Sequence, residues 1–178
     1  MRIKWFVAIL LVVLLLFWIL HTLVSTVFPF QYREEISKSC EEYHLDPAFV
    51  SAVICAESKF DPNAKSHKGA IGLMQIMEET GLWVSQFSQL GDVDLYSPRD
   101  NIRVGCAYLK MLLEQYDGSE FLALCAYNAG EGRVDSWLSQ ANDRAEFESL
   151  LFEETKNYCT KIENYKKVYA ILYWRNEK

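Results

Sequence analysis

The sequence predicts an all-α protein: one helical domain preceded by a single membrane-spanning helix. Three observations predict it. An uncharged apolar run lies near the N-terminus, apolar residues recur three and four apart through the rest of the chain, and no stretch alternates with period two between hairpin turns.

The apolar run comes first. Trp5 to Leu20 is unbroken, and after His21 and Thr22 the apolar character resumes through Leu23, Val24, Val27, Phe28 and Phe30. With His21 neutral, residues 5–30 carry no formal charge, and a bilayer core needs roughly 20 such residues. A cleaved secretory signal would have an apolar region of only about 7–15 residues and an A-x-A-like site after it; this chain has neither. A buried core helix would be shorter and would show a polar face. Arg2 and Lys4 precede the run, so the N-terminus is expected to stay in the cytoplasm with residues from Gln31 onward outside. The expected organisation is a membrane anchor over 1–30 and one exported domain over 31–178.

The outer domain reads as successive helices. Ile36, Cys40 and Tyr43 share the face of a first one. Asp46-Pro47 forms an N-cap with proline at the first helical position, opening a nearly all-apolar helix from Ala48 to Ser58. Residues 59–72 read as a loop, with Asp61-Pro62, Asn63, Gly69 and Gly72. The next helix is expected from about Leu73 to Phe87. Ser97-Pro98-Arg99-Asp100 is a cap, a proline and an acid at the positive end of the helix dipole; this helix runs to Tyr116 and is stopped by Asp117-Gly118. A short apolar helix follows over about 119–127. A last one, about 154–174, carries Tyr158, Ile162, Tyr165, Tyr169 and Leu172.

Charge narrows the partners. The chain has 18 Lys+Arg and 24 Asp+Glu; without Arg2 and Lys4 the outer domain holds 16 against 24, a net of about −8. That argues against nucleic acid, whose phosphates reward a basic face, and it means that bulk charge does not steer the domain onto anionic polymers. Recognition must come from a local groove. The five cysteines, Cys40, Cys55, Cys106, Cys125 and Cys159, form no C-x-x-C pair, and His21, His44 and His67 have no i, i+4 pairing, so neither a metal nor a cofactor is expected. Most of the cysteines sit among apolar neighbours, as small buried hydrophobes do; one or two disulfides are compatible with the count.

Glu57 is the residue with the most chemistry in it. It ends the most apolar helix of the domain, after Val53, Ile54, Cys55 and Ala56. Desolvation disfavours the ionised form of such a carboxyl and raises its pKa, the state a general acid needs near neutral pH. Three further blocks follow. Residues 57–75 end in Gly72-Leu73-Met74-Gln75, Ala126-Tyr127-Asn128-Ala129-Gly130 closes a short apolar helix, and Glu154-Thr155-Lys156-Asn157-Tyr158 opens the last one. In this order and spacing they resemble the SLT-type (soluble-lytic-transglycosylase-like) peptidoglycan lytic transglycosylases, over roughly residues 40–170.

The resemblance implies a lysozyme-like helical domain and a set of roles. Glu57 would be the sole catalytic acid/base, with Ser58 following it as the family motif requires. Ser66 would orient the substrate's acetamido group, Met74 and Gln75 would line the sugar cleft, and Tyr127, Asn128 and Tyr158 would surround the glutamate and substrate. His67-Lys68, Lys156 and Cys159 depart from the family pattern without touching these roles. The implied partners are a peptidoglycan glycan strand and the membrane, with protein partners unspecified. A role within an envelope-spanning machine would be compatible with catalysis.

The implied reaction is non-hydrolytic cleavage of the MurNAc-GlcNAc β-1,4 bond, leaving 1,6-anhydroMurNAc ends. A two-carboxylate glycosidase needs its second acid about 5–9.5 Å away. Asp61, Asp92, Asp94 and Asp100 lie outside the matching blocks and read as a loop turn, solvated acids and a helix cap. The alternatives are a lysozyme-type hydrolytic muramidase, which would need that second acid, and an inactive peptidoglycan-binding module.

Overall fold

The computed structural model describes residues 2–174; Met1 and residues 175–178, the outer limits of the expected anchor and catalytic domain, lie outside the described residues. The described residues form helices and turns, with isolated bridges in place of any sheet. Helix α1 (Arg2–Val27) stands apart from the rest. Its stretch Lys4–Val27 is long and apolar enough to cross a membrane and buries nothing against the domain.

The domain is built around α3 (Pro47–Glu57), whose residues Ala48 to Cys55 are all buried. Its start follows the sequence signal: Asp46 Oδ1 accepts from Ala48 N at 2.8 Å, with Pro47 in the first turn. Its end is enforced by two successive left-handed residues, Lys59 and Phe60, with φ of 54° and 65°. A non-glycine residue there costs roughly 1–2 kcal/mol, and burial of the Phe60 ring offsets it. The chain therefore turns sharply away from α3, leaving Glu57 at the lip of the core.

α3 lies against α2 (Arg33–Tyr43) and, most extensively, against α9 (Glu153–Leu172). α5 (Pro98–Gln115) packs on α2, on α4 (Glu78–Phe87) and on α6 (Glu120–Ala129). Ser97 and Ser119 cap α5 and α6 by accepting from Asp100 N and Leu122 N. Between α6 and α9 lie α7 (Glu131–Gln140) and α8 (Arg144–Leu150), neither anticipated from the sequence.

One expected boundary is corrected. Residues 71–76 are not the start of a helix but a tight turn, bridged by Lys65 with Ile71 and Ile71 with Ile76, and α4 begins at Glu78. Gln75 adopts φ 49°, incompatible with a right-handed helix. The turn is nevertheless buried at Ile71, Leu73, Met74 and Ile76, and a buried turn needs partners for its backbone. Asn101 supplies them. Its Nδ2 donates to Ile71 O (2.9 Å) and Leu95 O (2.8 Å), and its Oδ1 accepts from Met74 N (2.8 Å). Gly72 sits within this clasp at φ 75°; a Cβ there would run into the Asn101 carboxamide and lie 2.8 Å from Leu95 O.

All five cysteines are buried free thiols. Cys125 and Cys159 face each other across α6 and α9, with their sulfurs 3.6 Å apart.

Candidate active site

Glu57 is where three elements meet: the end of α3, the 71–76 turn, and the first turns of α9. Tyr158, in the second turn of α9, donates its hydroxyl to Glu57 Oε1 at 2.5 Å. One turn later Lys161 Nζ donates to Ala56 O at 3.0 Å. Burial pushes the Glu57 carboxyl up to about 7 from an ordinary 4.5, against the downward pull of the Tyr158 hydrogen bond and the Lys161 charge. Desolvation is the larger effect, so Glu57 is poised to hold a proton near neutral pH and to lose it just above.

Tyr127 approaches from α6. Its hydroxyl donates to Met74 O at 2.7 Å, tying α6 to the 71–76 turn. Burial raises the hydroxyls of Tyr127 and Tyr158 well above their ordinary value, and the Glu57 carboxylate adds to it. Both are therefore neutral hydrogen-bond donors around one acid. Asn128 turns the other way, its Oδ1 accepting from the buried Thr155 hydroxyl at 2.9 Å, and so locks α6 to the start of α9.

The remaining predicted positions hold the loop. Ser58 Oγ lies 2.8 Å from Leu73 O and 3.3 Å from Ile54 O, bridging the end of α3 to the turn. Gln75 Nε2 donates to Gly72 O (2.9 Å) and Ala64 O (3.1 Å). Ser66 Oγ accepts from Ala70 N (3.0 Å) within the 59–72 loop. Met74 does not offer its side chain to a cleft: it is fully buried, with its sulfur packed where α5 has Gly105, and a Cβ on that glycine would collide with it. Its contribution to the site is the carbonyl that Tyr127 holds.

Four residues important to this geometry were not singled out from the sequence. Asn101, Lys161 and Thr155 position the turn, the α3 end and Asn128 respectively. Tyr108 packs its ring, tilted by 38°, with its centroid 5.3 Å from that of Tyr127, and donates to Glu131 at 3.3 Å. Asn101 had a legible signal: with Gly105, Tyr108 and Leu112 it lies at helical spacing on the inward stripe of α5, where a polar residue must find buried partners.

The four aspartates weighed as a second acid are engaged elsewhere or exposed. Asp61 accepts from Asn63 N, Asp94 from Tyr96 N, and Asp100 from Asp94 N, while Asp92 is exposed. A cavity of about 800 Å³ opens on another face of α9, lined by Phe121, Arg144, Glu148, Leu151, Lys156 and Lys166. None of the residues around Glu57 borders it. That cavity brings together no desolvated carboxyl, so the chemistry of Glu57 outweighs its volume.

The sequence of residues 34–150 matches the family model described as "Transglycosylase SLT domain". The chain belongs to the transglycosylase SLT family. It is 33% identical over 150 residues to the soluble lytic murein transglycosylase of Escherichia coli K12, covering 80% of this chain and 23% of that protein. The Salmonella typhimurium counterpart is 31% identical, with the same coverage. Among solved structures, an inactive mutant of lytic transglycosylase Slt from Pseudomonas aeruginosa superposes with a TM-score of 0.77 at 31% identity, covering 83% of this chain and 25% of the other. The SLT chain described here thus spans about a quarter of the length of these relatives.

Proposed function

We propose that this SLT-family chain is a membrane-anchored peptidoglycan lytic transglycosylase, with residues 1–30 as anchor and 31–178 as catalytic domain. The observation that carries the reading is the Glu57–Tyr158 pair, a desolvated carboxyl with a pKa near 7 held by a neutral tyrosine. One group can then serve as acid and afterwards as base at the same pH. Arg2 and Lys4 at the N-terminal end of α1 favour a cytoplasmic N-terminus, with the domain facing the cell wall.

In the reaction, Glu57 protonates the glycosidic oxygen of a MurNAc-GlcNAc linkage as the bond to MurNAc C1 breaks. The neighbouring N-acetyl carbonyl oxygen stabilises the positive carbon, which substitutes for a second enzyme carboxylate. The Glu57 carboxylate then takes the proton of the MurNAc 6-hydroxyl, whose oxygen bonds to C1. Closure of the 1,6-anhydro ring consumes no water, restores the protonated acid, and gains from a nucleophile already held in the same sugar. Tyr158 steadies Glu57 in both states. Tyr127 and Asn128 hold the 71–76 turn and α9 in register about it, and Ser66 and Gln75 line the approach.

The test is mass analysis of muropeptides released from purified peptidoglycan by the full chain in detergent and by its Glu57→Gln variant. Products lighter by one water, from the native chain alone, are expected. Reducing ends without that loss would identify a hydrolase. Binding to peptidoglycan without products from either protein would identify a binding module.

A further inference from the structure

The segment between α1 and α2 is docked onto the domain rather than serving as a free tether. Phe28 packs edge-on against Tyr165 (5.2 Å between ring centroids) and Tyr169 (5.9 Å), and Phe30 stacks on Tyr173 (4.4 Å) and meets Trp174 edge-on (5.3 Å). Tyr169 donates to Pro29 O at 2.7 Å, and Tyr173 to Phe28 O at 2.9 Å. The last carbonyl of α1, Val27 O, accepts from Cys55 Sγ at 3.8 Å.

Two independent paths run from this junction to Glu57, and both are short. Along α3, Cys55 precedes Glu57 by two residues, about 3 Å of helical rise. Along α9, Tyr165 on the Phe28 ring follows Tyr158 on the Glu57 carboxyl by seven residues, about 10 Å of rise. The candidate catalytic carboxyl therefore lies roughly 15 Å from the end of the apolar helix by these rises plus side-chain lengths.

The membrane level follows from α1. The 24-residue stretch Lys4–Val27 extends about 36 Å against a hydrocarbon core of roughly 30 Å, so Val27 sits at headgroup depth. The aromatic cluster on Phe28 and Phe30 is the kind of residue set that occupies that level. At the same end of α9, Ile171 and Leu172 are exposed, at 65% and 44%.

Resting on the transglycosylase reading above, we propose that this docked junction fixes the active site against the membrane face. Its substrate is then glycan still carried on a membrane lipid, cut close to the lipid-linked end. The reaction class that supplies this substrate is glycan polymerisation on a lipid carrier at the outer face of the same membrane. Cleavage leaves a short stub on the lipid and frees a strand whose MurNAc C1 is closed onto its own 6-oxygen, with the leaving GlcNAc oxygen protonated on the stub.

The test uses the full chain in lipid vesicles bearing lipid-linked glycan strands made by a polymerising transferase, beside the same strands detached from the lipid. The native chain is expected to cut anchored strands at least about ten-fold faster and to leave stubs of a few disaccharides. A rigid helical insert of about 28 residues between Thr26 and Val27 would raise the domain by roughly 40 Å. It is expected to lengthen the stubs and bring the preference within about two-fold. Both proteins should cut detached strands equally in detergent, which controls for folding. Equal rates on anchored and detached strands by the vesicle-borne native chain would overturn the proposal, as would stubs unchanged by the insert. If the native chain cuts nothing even in detergent, the transglycosylase reading itself fails and this inference falls with it.

Discussion

Replacing Glu57 by Gln should make the protein more stable above neutral pH while abolishing its activity. In the folded chain the Glu57 carboxyl has a pKa of about 7 against an ordinary 4.5, chiefly from burial. A raised carboxyl pKa means that the folded state holds its proton more tightly than the unfolded chain does. The contribution to stability is therefore complete below about pH 4.5, declines as pH rises, and is lost above about pH 7. At about 1.4 kcal/mol per pH unit the difference amounts to about 3 kcal/mol. Glutamine has nearly the same shape, accepts the Tyr158 hydroxyl in the same place, and never ionises. Urea unfolding of native and Glu57→Gln chains in detergent, followed by tryptophan fluorescence, should give equal stabilities near pH 4. Near pH 8 the variant should be more stable by about 2–3 kcal/mol. Equal stabilities at both pH values would refute the claim that burial holds a proton on Glu57, and the acid/base assignment would lose its physical basis.

Three further outcomes are expected. Asn101→Ala orphans Met74 N, Ile71 O and Leu95 O, the three groups that Asn101 satisfies; at about 1–3 kcal/mol for each buried group, a loss of roughly 3–5 kcal/mol should appear in denaturant titration. Gly72→Ala places a methyl against Asn101 and Leu95 O at φ 75° and should cost about 2–4 kcal/mol in the same titration, with a fall in activity as the turn shifts. In Tyr158→Phe the Glu57 carboxylate loses the bond that holds its pKa down. The alkaline fall in the pH–rate profile should move to higher pH, and kcat should drop about ten-fold, or about 1.4 kcal/mol; an unmoved profile would show that the bond does not act on the carboxyl's charge.

Local chemistry made much of the fold legible in advance. Caps and prolines at Asp46-Pro47 and Ser97-Pro98 announced α3 and α5, because an N-cap is satisfied within three residues. The apolar length of α1 announced a span, because a bilayer requires a minimum length whatever the domain does. Glu57 stood out because its own helix supplies the desolvation. Polar helices α7 and α8 were missed because their short amphipathic patterns acquire meaning only when a core is there to receive Val134, Trp137 and Phe147.

The turn over 71–76 shows where such reading stops. Leu73, Met74 and Gln75 look like the start of a helix, yet Asn101, nearly thirty residues on, takes the backbone groups that a helix would have used. The contacts of Ser58, Gln75 and Met74 were likewise beyond sequence reading: a bridge from α3 to the turn, a brace within it, and a buried side chain whose carbonyl Tyr127 holds. The sequence by itself determined the helical class, the long apolar helix α1 and the desolvated setting of Glu57, since each depends on neighbours along the chain. Only the tertiary structure decided which groups meet Glu57 and how close the apolar helix α1 comes to it. Those contacts join residues as distant as Glu57 with Tyr158 and Pro29 with Tyr169, and a hydrogen bond between such partners depends on packing rather than on local propensity.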